Sequence, residues 1–188
     1  TAERVDGGLV TRLAADLEGQ RSALSLLQLV GATLWRSGEE QLALATYESL
    51  GGVAGILAQH GEERLGLWDG GELHAARELL LGLCDADGPL EAVDREALLD
   101  AVEPRLDQPR AAVSRHLEAL IDGRLVCAFA DAGGGGERLA LSHPGLLEAW
   151  PRLARWFADE RERATLRAEV KIAAELWRRR GESDSELW

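Results

Sequence analysis

The chain has 188 residues, 21 Lys plus Arg against 33 Asp plus Glu, and a formal net charge of −12. With 46% hydrophobic and 29% charged residues it has a globular composition and is long enough for one domain, or two small ones, with a real core. The acidic balance argues against a broad surface for nucleic-acid phosphates, and no apolar run approaches the roughly 20 residues that a membrane span needs.

No basic region followed by an apolar stretch marks a secretory signal at the N-terminus. Cys84 and Cys127 sit in apolar runs and cannot by themselves make a disulfide framework or a zinc site. They read as small, reduced core residues of a cytoplasmic protein. The chain contains no methionine, so Thr1 is not expected to be a natural start, and the chain is expected to be a piece of something longer. Lys171 is the single lysine and lies in Val170-Lys171-Ile172, with no glycine before it. A Walker A loop needs Gly-Lys-Ser/Thr to hold phosphates, so the chain has no P-loop of its own.

The first half is helical in pattern. Leu24, Leu27, Val30, Leu34 and Trp35 recur at helical spacing, and Leu26 and Leu29 widen the face, which suggests a helix packed on more than one side. Gly38 is a stop signal. Leu42, Leu44, Ala45, Tyr47 and Leu50 predict a short second helix, broken by Gly51-Gly52, and Val53, Ile56, Leu57 and His60 begin a third. Leu73, Ala76, Leu79, Leu80 and Leu83 predict a fourth, ended by Asp85-Ala86-Asp87-Gly88-Pro89.

The middle changes character. Val93, Ala97, Leu98 and Val102 have helical spacing, and Pro104 and Pro109 bracket a turn. Pro109 suits the first position of a helix that carries Val113, Leu117, Leu120 and Ile121 on one face and Arg110, Ser114, Glu118 and Asp122 on the other. Gly123 fits a left-handed C-terminal cap. The period then falls to two: Leu125, Cys127 and Phe129 alternate with Val126, Ala128 and Ala130. Asp131 to Gly136 makes a loose turn, and Leu139, Leu141 and His143 alternate on a returning strand. Helix, turn, helix and hairpin is the winged-helix order. Leu146, Leu147, Trp150, Leu153, Trp156 and Phe157 then supply an aromatic helical face. After a charged stretch, Leu166, Val170, Ala173 and Trp177 continue at helical spacing, and Arg178-Arg179-Arg180 before Gly181 suits the end of a helix.

Candidate sites are few. Arg110, Ser114 and Arg115 could touch DNA or simply line a solvated face, and Glu118 and Asp122 beside them would repel phosphates. The Gly133 to Gly136 run lies between two strands, so it reads as a wing tip; a phosphate cradle leads into a helix. His143, at a strand end before Pro144-Gly145, either donates to an anion or bonds local backbone. His60, His74 and His116 lie on separate helices without metal-ligand spacing. Glu39-Glu40 and Glu62-Glu63 read as solvated carboxylates near helix ends, and no nucleophile–base set emerges.

Several stretches together resemble one family. They are Ser25-Leu26-Leu27-Gln28-Leu29 with Leu34-Trp35, then Leu44-Ala45-Thr46-Tyr47-Glu48-Ser49-Leu50-Gly51-Gly52-Val53-Ala54-Gly55, and Ala75-Ala76-Arg77-Glu78-Leu79-Leu80-Leu81. Leu141-Ser142-His143-Pro144-Gly145-Leu146-Leu147-Glu148-Ala149-Trp150-Pro151-Arg152-Leu153 completes the series, with Trp156 and Ala158 to Arg161. From about Gln20 to Trp188 the chain is similar to the C-terminal half of bacterial STAND NTPase modules, the novel-STAND group common in actinobacteria.

The resemblance implies a mostly α fold: a lid-like helical subdomain (1–87), a winged-helix unit with a small β-hairpin (88–150), and a C-terminal helical extension (151–188). It implies a regulatory, non-catalytic segment of a signalling ATPase, switching with nucleotide state through intramolecular packing. ADP or ATP would belong to a nucleotide-binding core missing from this chain, and no cofactor is expected in the segment itself. The implied partners are that core, a second copy in a homo-oligomer, and a downstream repeat domain. Two residues carry over as nucleotide contacts: His143, in the stretch whose histidine meets the ADP phosphate in related proteins, and Ser25, where many relatives have proline near the adenine side. Pro144-Gly145 stands where the family usually has Glu-Ala. Asp85 to Pro89 is the candidate hinge. The competing reading is a winged-helix DNA-binding transcriptional regulator. A third is a protein–protein adaptor, for which an exposed Trp68 or Trp188 would be the anchor.

Overall fold

A computed structural model describes residues 5–38, 42–131 and 134–179. Glu39-Glu40, Gly133, Arg180, Gly181 and Trp188, singled out above, lie outside the described residues. The fold is mostly helical with a small three-stranded antiparallel sheet.

Helix α1 (Gly7–Leu17) begins where the Asp6 carboxylate accepts the Gly8 N–H at 2.8 Å, as a capping residue does. It packs on α2 (Ala23–Arg36) and α3 (Leu44–Ser49). In α2 the buried face is Leu26, Leu29, Val30 and Leu34, whereas Leu24 (70% exposed) and Trp35 (67%) face outward. The expected packing on more than one side is therefore corrected: one face is covered, and the second apolar stripe is open. Gly51 and Gly52 both take left-handed backbone (φ 79° and 66°), which turns the chain from α3 straight into α4 (Gly52–Leu65). Asp69 and Glu72 then form a reciprocal capping box that starts α5 (Gly70–Leu81).

The candidate hinge, Asp85 to Pro89, is closed by its own bonds. The Asp85 N–H donates to the Gly88 carbonyl at 2.8 Å, and the Leu90 N–H to the Leu83 carbonyl at 2.9 Å. The helical spacing read from Val93 begins two residues late. Val93–Asp94 is strand β1, and the Asp94 carboxylate caps α6 (Arg95–Val102) through the Ala97 N–H at 3.0 Å. A 3-10 turn (Glu103–Arg105) leads to α7 (Arg110–Asp122), with Pro109 as the flanking cap residue, one position earlier than expected. Gly123 is right-handed (φ −71°), and the left-handed residue is Arg124 (φ 60°). Its guanidinium donates to the Ser25 carbonyl and to Gln28 Oε1, both at 3.2 Å, which ties this turn to α2. Strands β2 (Val126–Ala130) and β3 (Glu137–Leu141) pair with Val126 opposite Leu141, and β1 adds to β3 with Val93 opposite Leu139.

A short α8 (Leu146–Ala149) and α9 (Pro151–Arg179) complete the chain. The two terminal helical patterns are one 29-residue helix, because the charged stretch between them contains no breaker. Its first turns pack on α5 and α8, while Leu166 and Val170 are exposed. One buried cluster joins α1 to α8 and the first turn of α9, from Leu9 through Leu57, Leu79 and Leu117 to Trp150 and Leu153.

Candidate functional site

The motif residues Tyr47 to Val53 and the distant His143 meet at one cavity of about 370 Å³. Arg12 and Asp16 of α1, Tyr47 and Glu48 of α3, the Gly51–Ala54 turn and His143 form its walls. Tyr47 is fully buried. Its hydroxyl donates to Asp16 Oδ2 at 2.6 Å and accepts the Val53 N–H at 3.1 Å. This tyrosine thus serves the first turn of α4, where the Gly51 cap offers no side chain. The Arg12 Nε donates to both Asp16 oxygens at 3.0 Å. Burial works to raise Asp16, but the Tyr47 and Arg12 hydrogen bonds outweigh it and hold the carboxyl below its usual range. Burial, then the Asp16 hydrogen bond, lift Tyr47 well above an ordinary phenol, so it stays a donor.

His143 lies just past β3 and is half-buried. Its Nδ1 accepts the Gly145 N–H at 3.1 Å. In the neutral ring the proton then sits on Nε2, which becomes the donor. Burial pushes His143 below the usual imidazole value, against the pull of the Asp16 charge. The α4 N-terminus is close by: a Cβ built on Gly145 would stand 3.3 Å from Ala54 Cβ. Of the two readings of His143, the structure shows the bond to local backbone, made at Nδ1.

Ser25 is not brought to this cavity. It is exposed on α2 and lines a separate groove of about 230 Å³ with Arg21, Arg124, Cys127 and Phe129. The other histidines are occupied structurally or lie apart. His60 Nε2 donates to the Gly123 carbonyl at 3.1 Å, His116 Nε2 to Gln108 Oε1 at 3.0 Å, and His74 is exposed on α5. Burial raises both thiols, Cys84 to about 11 with Asp85 adding to it, so neither is an activated nucleophile.

The α7 face is less basic than its sequence. Arg110 donates to Asp100 at 2.7 Å, to Glu96 at 2.6 Å and to Glu103 at 3.1 Å, and Arg95 pairs with Glu118 and Glu137. A guanidinium shared among three carboxylates has little left for a DNA phosphate. Trp68 is half-buried against the core and the His116 ring (5.8 Å between centroids), so it is not the exposed anchor that an adaptor would need. The exposed tryptophan on α2 is Trp35.

Sequence reasoning passed over three residues that organise the fold around the site. Asp16 gave no signal because, beyond Arg12 one helical turn away, the partner that brings it to the site, Tyr47, lies 31 residues on. Glu62, read as solvated, accepts the Trp150 Nε1–H at 2.8 Å and the Arg152 Nε–H at 2.9 Å. Glu78, read only as part of a motif, is buried between Arg77 and Arg105. The Trp-Pro-Arg-Leu stretch is therefore a clamp: Trp150 and Leu153 enter the core, and Arg152 locks onto α4.

The chain lacks the Gly-Lys-Ser/Thr loop of a complete nucleotide site, and no cluster of metal-ligating side chains occurs among the described residues. No described helix is long and apolar enough to cross a membrane. No curated protein and no solved structure matches the chain. A family profile does, over nearly its whole length: residues 2–185 match the profile described as Novel STAND NTPase 1, and the chain belongs to that family.

Proposed function

We propose that the chain is the regulatory, non-catalytic part of a STAND-type signalling ATPase: a helical lid, a winged helix and a trailing helix that pack on a nucleotide-binding core of the same protein. The observation that carries this reading is the meeting of His143 with the Tyr47–Val53 turn at an open cavity. A neutral imidazole N–H beside a helix N-terminus suits one contact to a phosphate, not retention of a whole nucleotide. ADP on the core would favour the packing in which His143 reaches it, and exchange for ATP would shift the balance toward an assembled form. The order β1, α6, α7, β2, β3 supports the winged-helix assignment. Ser25, on its own groove, would meet a different part of the core. Rotation about Asp85 to Pro89 would have to break the two backbone bonds that close that loop.

The test is His143→Ala in the protein that joins this chain to its core, measuring ADP affinity and ATP hydrolysis. Weaker ADP retention and faster turnover are expected; wild-type values for both overturn the reading.

A further inference from the structure

The cavity holds a hydrogen-bond relay that begins outside both sequence motifs. Asp16 of α1 takes the Tyr47 O–H, and Tyr47 takes the Val53 N–H, so a carboxylate on the first helix holds the first turn of the fourth. A buried hydroxyl with donor and acceptor both satisfied has one orientation, and it fixes what it bonds. We propose that Asp16 and Tyr47 are positioning residues for His143: the relay sets the α4 N-terminus in place, and the Asp16 charge tunes the imidazole that meets the phosphate of a nucleoside diphosphate. This rests on the phosphate-contact reading of His143 given above.

The charged and titratable groups around His143 define the electrostatics. From α1 they are Arg12 and Asp16, and from α3 Tyr47 and Glu48; the α4 part of the wall, Gly51 to Ala54, carries none. Arg12 is bound to Asp16, and Tyr47 stays neutral. Asp16 is the charge that acts on His143, favouring the protonated ring against burial. Protonating Nδ1 would also remove the acceptor for the Gly145 N–H, so His143 charge and the turn before α8 are linked. Asp16 thus reaches the anion contact without touching the anion.

Two measurements separate this claim from the one beneath it. In the 188-residue chain, the His143 ring is titrated by NMR and the Val53 amide is followed by hydrogen exchange. Asp16→Asn keeps an acceptor for Tyr47 but removes the charge and leaves Arg12 uncompensated, so the His143 midpoint is expected to fall. Tyr47→Phe keeps the buried ring and removes the bond, so Val53 exchange is expected to rise by about tenfold. A wild-type value in either measurement overturns the role of that residue. In the protein joined to its core, with ADP as the probe, Asp16→Asn is expected to move the pH dependence of ADP affinity to lower pH. If His143→Ala weakens ADP and Asp16→Asn shifts nothing, the positioning role fails alone. If His143→Ala leaves ADP affinity unchanged, the phosphate-contact reading fails, and with it the ligand part of this inference.

Discussion

Glu62 looks in sequence like one of two adjacent surface acids, yet it bonds two side chains across the fold. It accepts from the indole of Trp150 and from Arg152, and the Arg152 guanidinium lies 5.9 Å from the Trp156 ring centroid. The Arg152 hydrogen bonds, then that of Trp150, hold the Glu62 carboxyl below its usual range. A carboxyl lowered in the folded state adds stability above its unfolded value, and that stability is lost as pH falls through the folded value. Acid should therefore weaken the clamp between α4 and α9. Glu62→Gln keeps an acceptor for Trp150 and removes the charge. Its stability should fall less steeply than that of the wild type below the ordinary glutamate range, and urea melts at several pH values read this directly. Parallel slopes for the two proteins would show that Glu62 is not a source of acid sensitivity.

Among the elements, α4 shows best what periodicity reveals and what it hides. Val53, Ile56 and Leu57 marked its buried face correctly, but nothing in their spacing marked Gly61. A Cβ there would lie 2.9 Å from Leu125 Cδ2 and 2.9 Å from Trp150 Cη2, both on side chains that are about 1% exposed. Alanine gains about 1 kcal/mol of helix propensity over glycine. Forcing two packed side chains aside costs roughly 1–3 kcal/mol, so Gly61→Ala should be a net loss. Gly31 in the middle of α2 has nothing within 4 Å of such a Cβ, and there the same change should stabilise. Denaturant midpoints that move in opposite directions check the argument; a rise in both would refute it. The same logic explains the other partial misses. β1 is two residues long and too short for a period, and α1 is marked mainly by its Asp6 cap. The cavity was half legible: Tyr47 to Val53 and His143 were both noticed, but their meeting depends on α1 and on tertiary packing, which local spacing does not encode.

At the scale of the whole molecule, the sequence suggested units that end at 87 and at 150, while the buried cluster runs across both places. Helix α5 packs on α7 and α9, and α4 packs on α8. Glu78 of α5 strengthens this join. It is 4% exposed and is held by Arg77 and by Arg105 from the turn after α6, and Arg77 also reaches Glu160 of α9 at 3.3 Å. A carboxylate bonded to two guanidiniums inside a fold registers the elements that supply them. With the core and the ion network shared, the lid-like and wing-like parts should not melt separately. Tryptophan fluorescence should follow changes around Trp68 before residue 87 and around Trp150 and Trp156 after it, while far-UV circular dichroism follows the helices. Both signals should trace one transition in urea. Glu78→Ala removes a buried carboxylate, but Arg77 keeps Glu160 and Arg105 is about half exposed, so stability should fall by about 1–3 kcal/mol while the transition stays single. Two resolved transitions in the wild type would mean that the boundary at 87 is a thermodynamic one and that Glu78 merely decorates it. A single transition would mean that the parts on either side of residues 85–89 unfold as one cooperative unit, so that the boundary expected at 87 is not a thermodynamic one.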